Sequence, residues 1–345
     1  MMCIQAKILA EEHGIQPEKF KASHQWQSGF MNRYRLSLRC KSNQAQVSPD
    51  DVQKEQEKFA QEVKEKAKNL GVKVIWNADQ TPVQYEMLPR KTLDNKNNKT
   101  IWVRCAGKDK ERVSVMLLAN SRGEKKNPCL VMKQNVPTTL QAFLSNKENR
   151  NGFGPRVWKD VQESATRNGL QVFANATAWF TSDIIVKWLQ YNFPFNTEPV
   201  LLLLDEFTGH GTEKVAAVAK KLNVHIMTIP SGTTSKTQPA DLSWNKPFKG
   251  YMRQQWTSKL IEDLKKNGEN FRAVAPSRDN VMSWTKEAWN YLSKETIING
   301  FVKAGMLENV SVSHSEQQPK ETVTDSLIQA LENLSAVDSF EDDAF

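Results

Sequence analysis

The stretch 199-PVLLLLDEFTGHGT-212 passes from five consecutive apolar side chains, Val200 to Leu204, to two acids, Asp205 and Glu206, and then to His210. An unbroken apolar run of this length suits a strand buried on both faces, because successive side chains point to opposite sides. Two explanations fit the acids that follow. Either the strand leaves the core on polar residues, or a central strand delivers a carboxylate to a site at its end. Alternation turns Glu206 away from Asp205, so only Asp205 is a candidate.

Downstream, "GTEKVAAVAKKLN" (211–223) reads as a helix and "VHIMTIP" (224–230) as a second buried strand. "TSDIIVKWLQYNF" (181–193) is an amphipathic helix capped by Thr181 or Ser182. Upstream, "VKVIWNAD" (72–79), "VQYEML" (83–88), "TIWVRC" (100–105), "RVSVMLLANSRG" (112–123) and "PCLVMKQ" (128–134) supply strands separated by turn signals. Residues 135–160 read as a loop region. A long helical stretch starts near Pro239, and residues 277–307 are helical again, with Trp284, Trp289 and Phe301 packing on the body. Antiparallel-type strands followed by alternating helices and strands predict a mixed α/β layer fold. The charged segment 47–71 predicts an amphipathic helix capped at Ser48 and stopped by Gly71, packing Phe59 and Val63.

A length of 345 residues suggests two or three units. No apolar run is long enough for a membrane span, and the first residues carry acids too early for a secretory signal. The four cysteines, Cys3, Cys40, Cys105 and Cys129, are scattered without metal spacing, which suits a reduced compartment and no zinc module. The net charge of +8 is uneven: residues 316–345 hold eight acids and one base, leaving 46 bases against 31 acids in the rest. A body that basic suits a polyanionic partner, most often nucleic acid, although surface cations also serve solubility alone.

The first 46 residues read as three short helices. Ser23 caps the last, which sets Trp26, Phe30 and Tyr34 in a stripe expected to be core. Between Lys19 and Lys41 stand six cations and no acid. That pattern fits a helix-turn-helix reader whose phosphate contacts come from Lys21, Arg33, Arg35, Arg39 and Lys41. It also fits a basic, solvated helix end.

Three aspartates occupy similar places: Asp79 ending "VIWNAD", Asp205 ending "LLLLD", and Asp241 just inside a helix behind Pro239. Such an all-oxygen set suits Mg²⁺ or Mn²⁺. Two ions about 4 Å apart serve phosphoryl transfer by activating the attacking hydroxyl and stabilising the leaving oxygen. Spacing alone leaves the alternative open, since any α/β protein carries acids at strand ends.

Together, "VIWNADQTPVQYEMLPRKT", "LLLLDEFTGH" and "IPSGTTSKTQPADLSWNKPFKGYMR" resemble the catalytic domain of pogo/Tigger-like transposases of the mariner-type DDE superfamily, related to the jerky and centromere protein B groups. "FKASHQWQSGFMNRYRLSLR" resembles the second helix-turn-helix of that family, and "AWNYLSKETIINGFVKAGM" its carboxy-terminal helical segment. The resemblance implies an α/β, RNase H-like mixed-sheet core with an N-terminal helix-turn-helix domain and a C-terminal helical segment. On that pattern residues 1–46 are the DNA-binding domain, 47–71 a helical linker, 72–262 the catalytic domain, 263–307 the C-terminal helices and 308–345 an acidic, largely disordered tail. It further implies Asp79, Asp205 and Asp241 as catalytic metal ligands for two Mg²⁺ or Mn²⁺ ions, with His210 as either an accessory group or a histidine that packs its loop. Also implied are double-stranded DNA as partner, a homodimer when two DNA ends are synapsed, and a nuclear location. The implied reaction is hydrolysis at a transposon end followed by attack of the new 3′-hydroxyl on target DNA.

Position 80 is Gln where the family commonly has an acid, which removes a charge from beside the site. Pro247 falls inside the helix that Asp241 opens, so that helix must kink or begin later. The chain starts at what resembles the second of two helix-turn-helix units, which implies weakened recognition of a specific end. The competing readings are a domesticated, catalytically idle DNA-binding protein that keeps the fold as scaffold, and a cellular RNase H-type nuclease.

Overall fold

A computed structural model describes residues 6, 10, 12–16, 18–34, 49–87, 106–108, 110–194, 196–205, 212–267 and 273–308. The chain divides into two compact units, residues 1–46 and 47–345.

In the first unit helix α1 spans His24–Arg33. Ser23 is its N-cap, the hydroxyl accepting the Trp26 N–H at 3.2 Å. The aromatic stripe forms, with ring centroids 5.2 Å apart for Trp26 and Phe30 and 4.6 Å for Phe30 and Tyr34. It is not the buried core expected of it: Trp26 and Phe30 are half-buried and Tyr34 is 63% exposed. These rings cover one another instead. Lys21 and Arg33 are exposed, while Arg35, Arg39 and Lys41 lie outside the described residues.

The second unit begins with α2 (Pro49–Leu70) and the strands β1 (Ile75–Gln84), β2 (Arg112–Asn120) and β3 (Cys129–Lys133). Helices α3 (Leu140–Asn149) and α4 (Pro155–Asn168) follow, then β4 (Gln171–Asn175), α5 (Ser182–Asn192), β5 (Val200–Asp205), α6 (Glu213–Lys221) and β6 (Val224–Ile229). A short α7 (Thr234–Thr237) leads into a π-helical turn (Ala240–Trp244), and α8 (Asn245–Asn267), α9 (Arg278–Tyr291) and α10 (Lys294–Lys303) complete it.

One six-stranded sheet has the order β4-β3-β2-β1-β5-β6. Of these strands β2 alone runs against the others. Three meandering strands, with β5 and β6 added in parallel on the β1 side, make the fold RNase H-like. Helices cover both faces. Phe59 and Val63 of α2, Phe248 and Trp256 of α8, Trp289 of α9 and Phe301 of α10 join Leu117 and Leu203 on one face. On the other, Trp188 and Leu189 of α5 and Val215 of α6 meet Met116, Leu118, Leu202 and Leu204. This double cover is why Leu201–Leu204 form an unbroken apolar run, each of them fully buried.

Several expectations change. β1 does not end on Asp79; it continues through Pro82 to Gln84, paired with β2 throughout. Its pairing with β5 stops at Asn77, so the stretch holding Pro82 has no second ladder to break. The supposed loop at 135–160 holds α3 and the start of α4, and β4 was not foreseen. β6 is the sheet edge, with half-buried residues at His225, Ile226 and Met227 rather than a buried run. The division drawn at 262/263 falls inside α8, and α9 and α10 share the core of the sheet. Pro247 is accommodated where the π turn passes into α8. There the Asn245 N–H already reaches back five residues to the Ala240 carbonyl, so the residue lacking a donor sits in the opening turn. The segment "TIWVRC", Ser48 and the tail beyond Glu308 lie outside the described residues.

Candidate active site

The parallel register of β1 and β5 pairs Ile75 with Leu201, Trp76 with Leu202 and Asn77 with Leu203. Carried on by two residues, the same offset sets Asp79 level with Asp205. Both acids follow residues of the face that packs on α8 and α10, since Leu201, Leu203 and Ile75 belong to that layer.

Asn77, fully buried, brings the third acid to the same place. Its Nδ2 donates to the Leu203 carbonyl of β5 at 3.2 Å, and its Oδ1 accepts the Ala240 N–H at 3.2 Å. One side chain thus fastens β1, β5 and the π turn that carries Asp241. From behind, Trp244 Nε1 donates to the Ile297 carbonyl at 3.1 Å and the Ser243 hydroxyl to the Thr296 carbonyl at 2.8 Å. Gly300 permits that contact, because a Cβ there would stand 2.5 Å from the Pro239 oxygen.

Amide side chains hold the acids. Gln238 Nε2 donates to Asp79 Oδ1 at 2.6 Å. Asn245 Nδ2 donates both to Asp79 Oδ2 at 2.6 Å and to Asp241 Oδ1 at 2.8 Å. Asp79 is 7% exposed, and its carboxyl is pushed up to about 7. Burial is the main cause, with the negative charges of Asp241 and Asp205 adding to it and Asn245 and Lys249 opposing it. Asp241, at the open rim, is raised as well, first by partial burial of its carboxyl; Asn245 and Lys249 pull it down and Asp205 pushes it up. Lys249, two turns along from Asp241, is lowered by burial against the pull of Asp79 and Asp241.

The arrangement therefore concentrates negative charge that only a cation or a proton relieves, and its donors are the hard oxygens that Mg²⁺ and Mn²⁺ take. Among the described residues no three His, Cys, Asp or Glu side chains yet form a cluster that holds an ion. The Asn245 amide stands between two of the acids. Glu206 and His210 lie outside the described residues. Gln80 sits on the opposite face of β1 from Asp79, so the side chain at that position does not border the acids, contrary to the expectation of a lost neighbouring charge. The motif "TSKTQPADLSWNK" contained Gln238 and Asn245 in plain view, Asn245 one helical turn after Asp241. Asn77 gave no such signal.

An RNase H-like sheet with carboxylates on two adjacent parallel strands and on the helical turn behind them defines the class. The chain belongs to the DDE superfamily endonucleases, the family matching residues 110–301. That span includes Asp205 and Asp241; Asp79 lies upstream of it, on the strand between β2 and β5. Among relatives, human "Pogo transposable element with KRAB domain" is 27% identical over 316 residues, covering 90% of this chain and 48% of that protein. "CENP-B homolog protein 2" of Schizosaccharomyces pombe is 25% identical over 248 residues, covering 69% and 42%. The chain thus spans about half the length of the curated relatives it matches. A solved Mos1 mariner paired end complex with Mn is 12% identical, covering 87% of this chain and 75% of that one, with a TM-score of 0.48. Among the described residues, no helix is long and apolar enough to cross a membrane.

Proposed function

We propose that this chain is a transposase-type endonuclease that cuts DNA strands at transposon ends and joins the new end to a target. The observation that carries this reading is the convergence of Asp79, Asp205 and Asp241 on one face, where burial first and the two neighbouring acids second raise Asp79. These three residues would hold two Mg²⁺ or Mn²⁺ ions. Once bound, the ions supply an activated water or hydroxyl and offset charge on the leaving oxygen. In the first step a water oxygen attacks the phosphorus and the P–O3′ bond breaks, leaving a 3′-hydroxyl and a 5′-phosphate. In the second, that hydroxyl attacks a phosphate of the target, whose own 3′-oxygen leaves. Family membership and the relatives named for a transposable element and for a centromere protein homologue support the reading.

Residues 1–46 fit a helix-turn-helix module that positions double-stranded DNA through Lys21, Arg33, Arg35, Arg39 and Lys41. Residues 47–71 fit a linker whose Phe59 and Val63 pack into the core of the sheet, 72–262 the catalytic domain with α8 running on past that bound to Asn267, 263–307 a helical extension sharing the same core, and 308–345 an acidic tail. His210, five residues after Asp205 in the sequence, fits an accessory role. A nuclear location and a homodimer that synapses two DNA ends accord with this reading.

The test is nicking of supercoiled plasmid in Mn²⁺ by the wild type and by Asp205→Asn. Nicking falls at least about a thousandfold in the variant, the equivalent of some 4 kcal/mol of lost transition-state stabilisation. Equal nicking by both proteins contradicts the site. A second reading, a DNA-binding protein that keeps the fold as an idle scaffold, is favoured by the Asn245 amide lodged between two acids. It takes the lead if neither protein nicks while both bind DNA in a salt-sensitive way.

A further inference from the structure

The donors between the acids are themselves incompletely satisfied. Both N–H bonds of the Asn245 amide are committed, one to Asp79 and one to Asp241. Its Oδ1 is buried without a hydrogen-bond partner, and so is Oε1 of Gln238. A buried amide oxygen left this way is a cost to the fold that asks for a reason. The two amides differ in freedom. Gln238 is 1% exposed, whereas Asn245 is half-buried at the rim, on the same helical face as Asp241.

The N–H₂ edge of an amide is electropositive and opposes a cation, while its oxygen is a hard donor that a divalent cation accepts. The terminal torsion of asparagine is broad and roughly two-fold, so exchanging the two ends needs no backbone movement. We propose that Asn245 is an amide latch for the site: its Nδ2 end ties Asp79 to Asp241 when no ion is present, and its Oδ1 end turns to the acids when a divalent cation is held there. The inference rests on the reading of the three aspartates as ion-holding residues and goes beyond it. It gives Asn245 a positioning role of its own, with Gln238 as the fixed donor that keeps Asp79 in place through both states.

The test is thermal melting of the full chain at neutral pH, in EDTA and in Mn²⁺, for the wild type, Asn245→Asp and Asn245→Leu. Asn245→Asp keeps the shape but replaces the tying donor with another carboxylate. In EDTA it melts roughly 5 °C or more below the wild type. In Mn²⁺ the deficit disappears, so its ion-dependent gain exceeds that of the wild type. Asn245→Leu loses both ends of the amide, melts low in EDTA and shows no such excess gain. A deficit in Asn245→Asp that is equal with and without Mn²⁺ marks a merely structural residue and overturns the latch, as does an Asn245→Asp that melts in EDTA at the wild-type temperature. A wild type that gains nothing from Mn²⁺ sinks the ion-site reading itself and the latch with it.

Discussion

β1 and β2 lie side by side at the centre of the same sheet and are paired along their whole common length, yet they are built on opposite terms. β2 buries Val113, Val115, Met116, Leu117, Leu118 and Ala119, with polar Ser114 and Asn120 towards its two ends. β1 buries Asn77, Asp79 and Thr81 along its middle. A strand chosen only for its core would not place a carboxylate there, because burying it beside two other acids is costly enough to move its titration to about 7. The same sheet thus has one strand selected for packing and one that gives up stability to present a site. Such local conflict with the fold is where function is expected.

The largest effect that separates the two strands is a pH dependence confined to β1. Asp79 is raised from 3.8 to about 7 in the folded chain. Between those values the unfolded chain has released the proton and the folded chain still holds it. Stability therefore falls as pH rises through that window and stays reduced above it, by about 4 kcal/mol if Asp79 acts alone. Urea unfolding in EDTA at about pH 4 and pH 8 measures this fall; Asp79→Asn removes most of it, and the raised Asp241 contributes in the same direction. Parallel profiles for wild type and variant would place the strain elsewhere.

A smaller effect belongs to β2. Leu117→Ala empties a fully buried position and costs about 3 kcal/mol. It leaves the stabilisation by Mn²⁺ unchanged, as read from melting with and without the ion. Loss of that response would mean that packing and site are not separable in the way the two strands suggest.

The same contrast explains what was legible in the sequence. The apolar run before Asp205 announces a doubly covered strand, so β5, its acid and the α/β class can all be read locally. Asp79 was recognised but set at a strand end, because Gln80, Thr81 and Pro82 look like an exit when the β2 partner is unknown. Asn77 was invisible. Its two partners, Leu203 and Ala240, lie 126 and 163 residues away, and a buried asparagine has no local signature. Helix α3 was missed since Leu140, Phe143 and Leu144 are exposed, which blurs the amphipathic pattern. β4 is only five residues long, with Gln and Asn at its ends.

The central claim is that Asp79, Asp205 and Asp241 make one ion site. Titration with Mn²⁺, followed by the loss of the free-ion electron paramagnetic resonance signal, addresses it directly in the wild type and in the three single Asp→Asn variants. The account predicts saturable binding by the wild type, weakened at least about tenfold in each variant, since each removes a charged oxygen ligand. Wild-type affinity retained in any one of the three would contradict it.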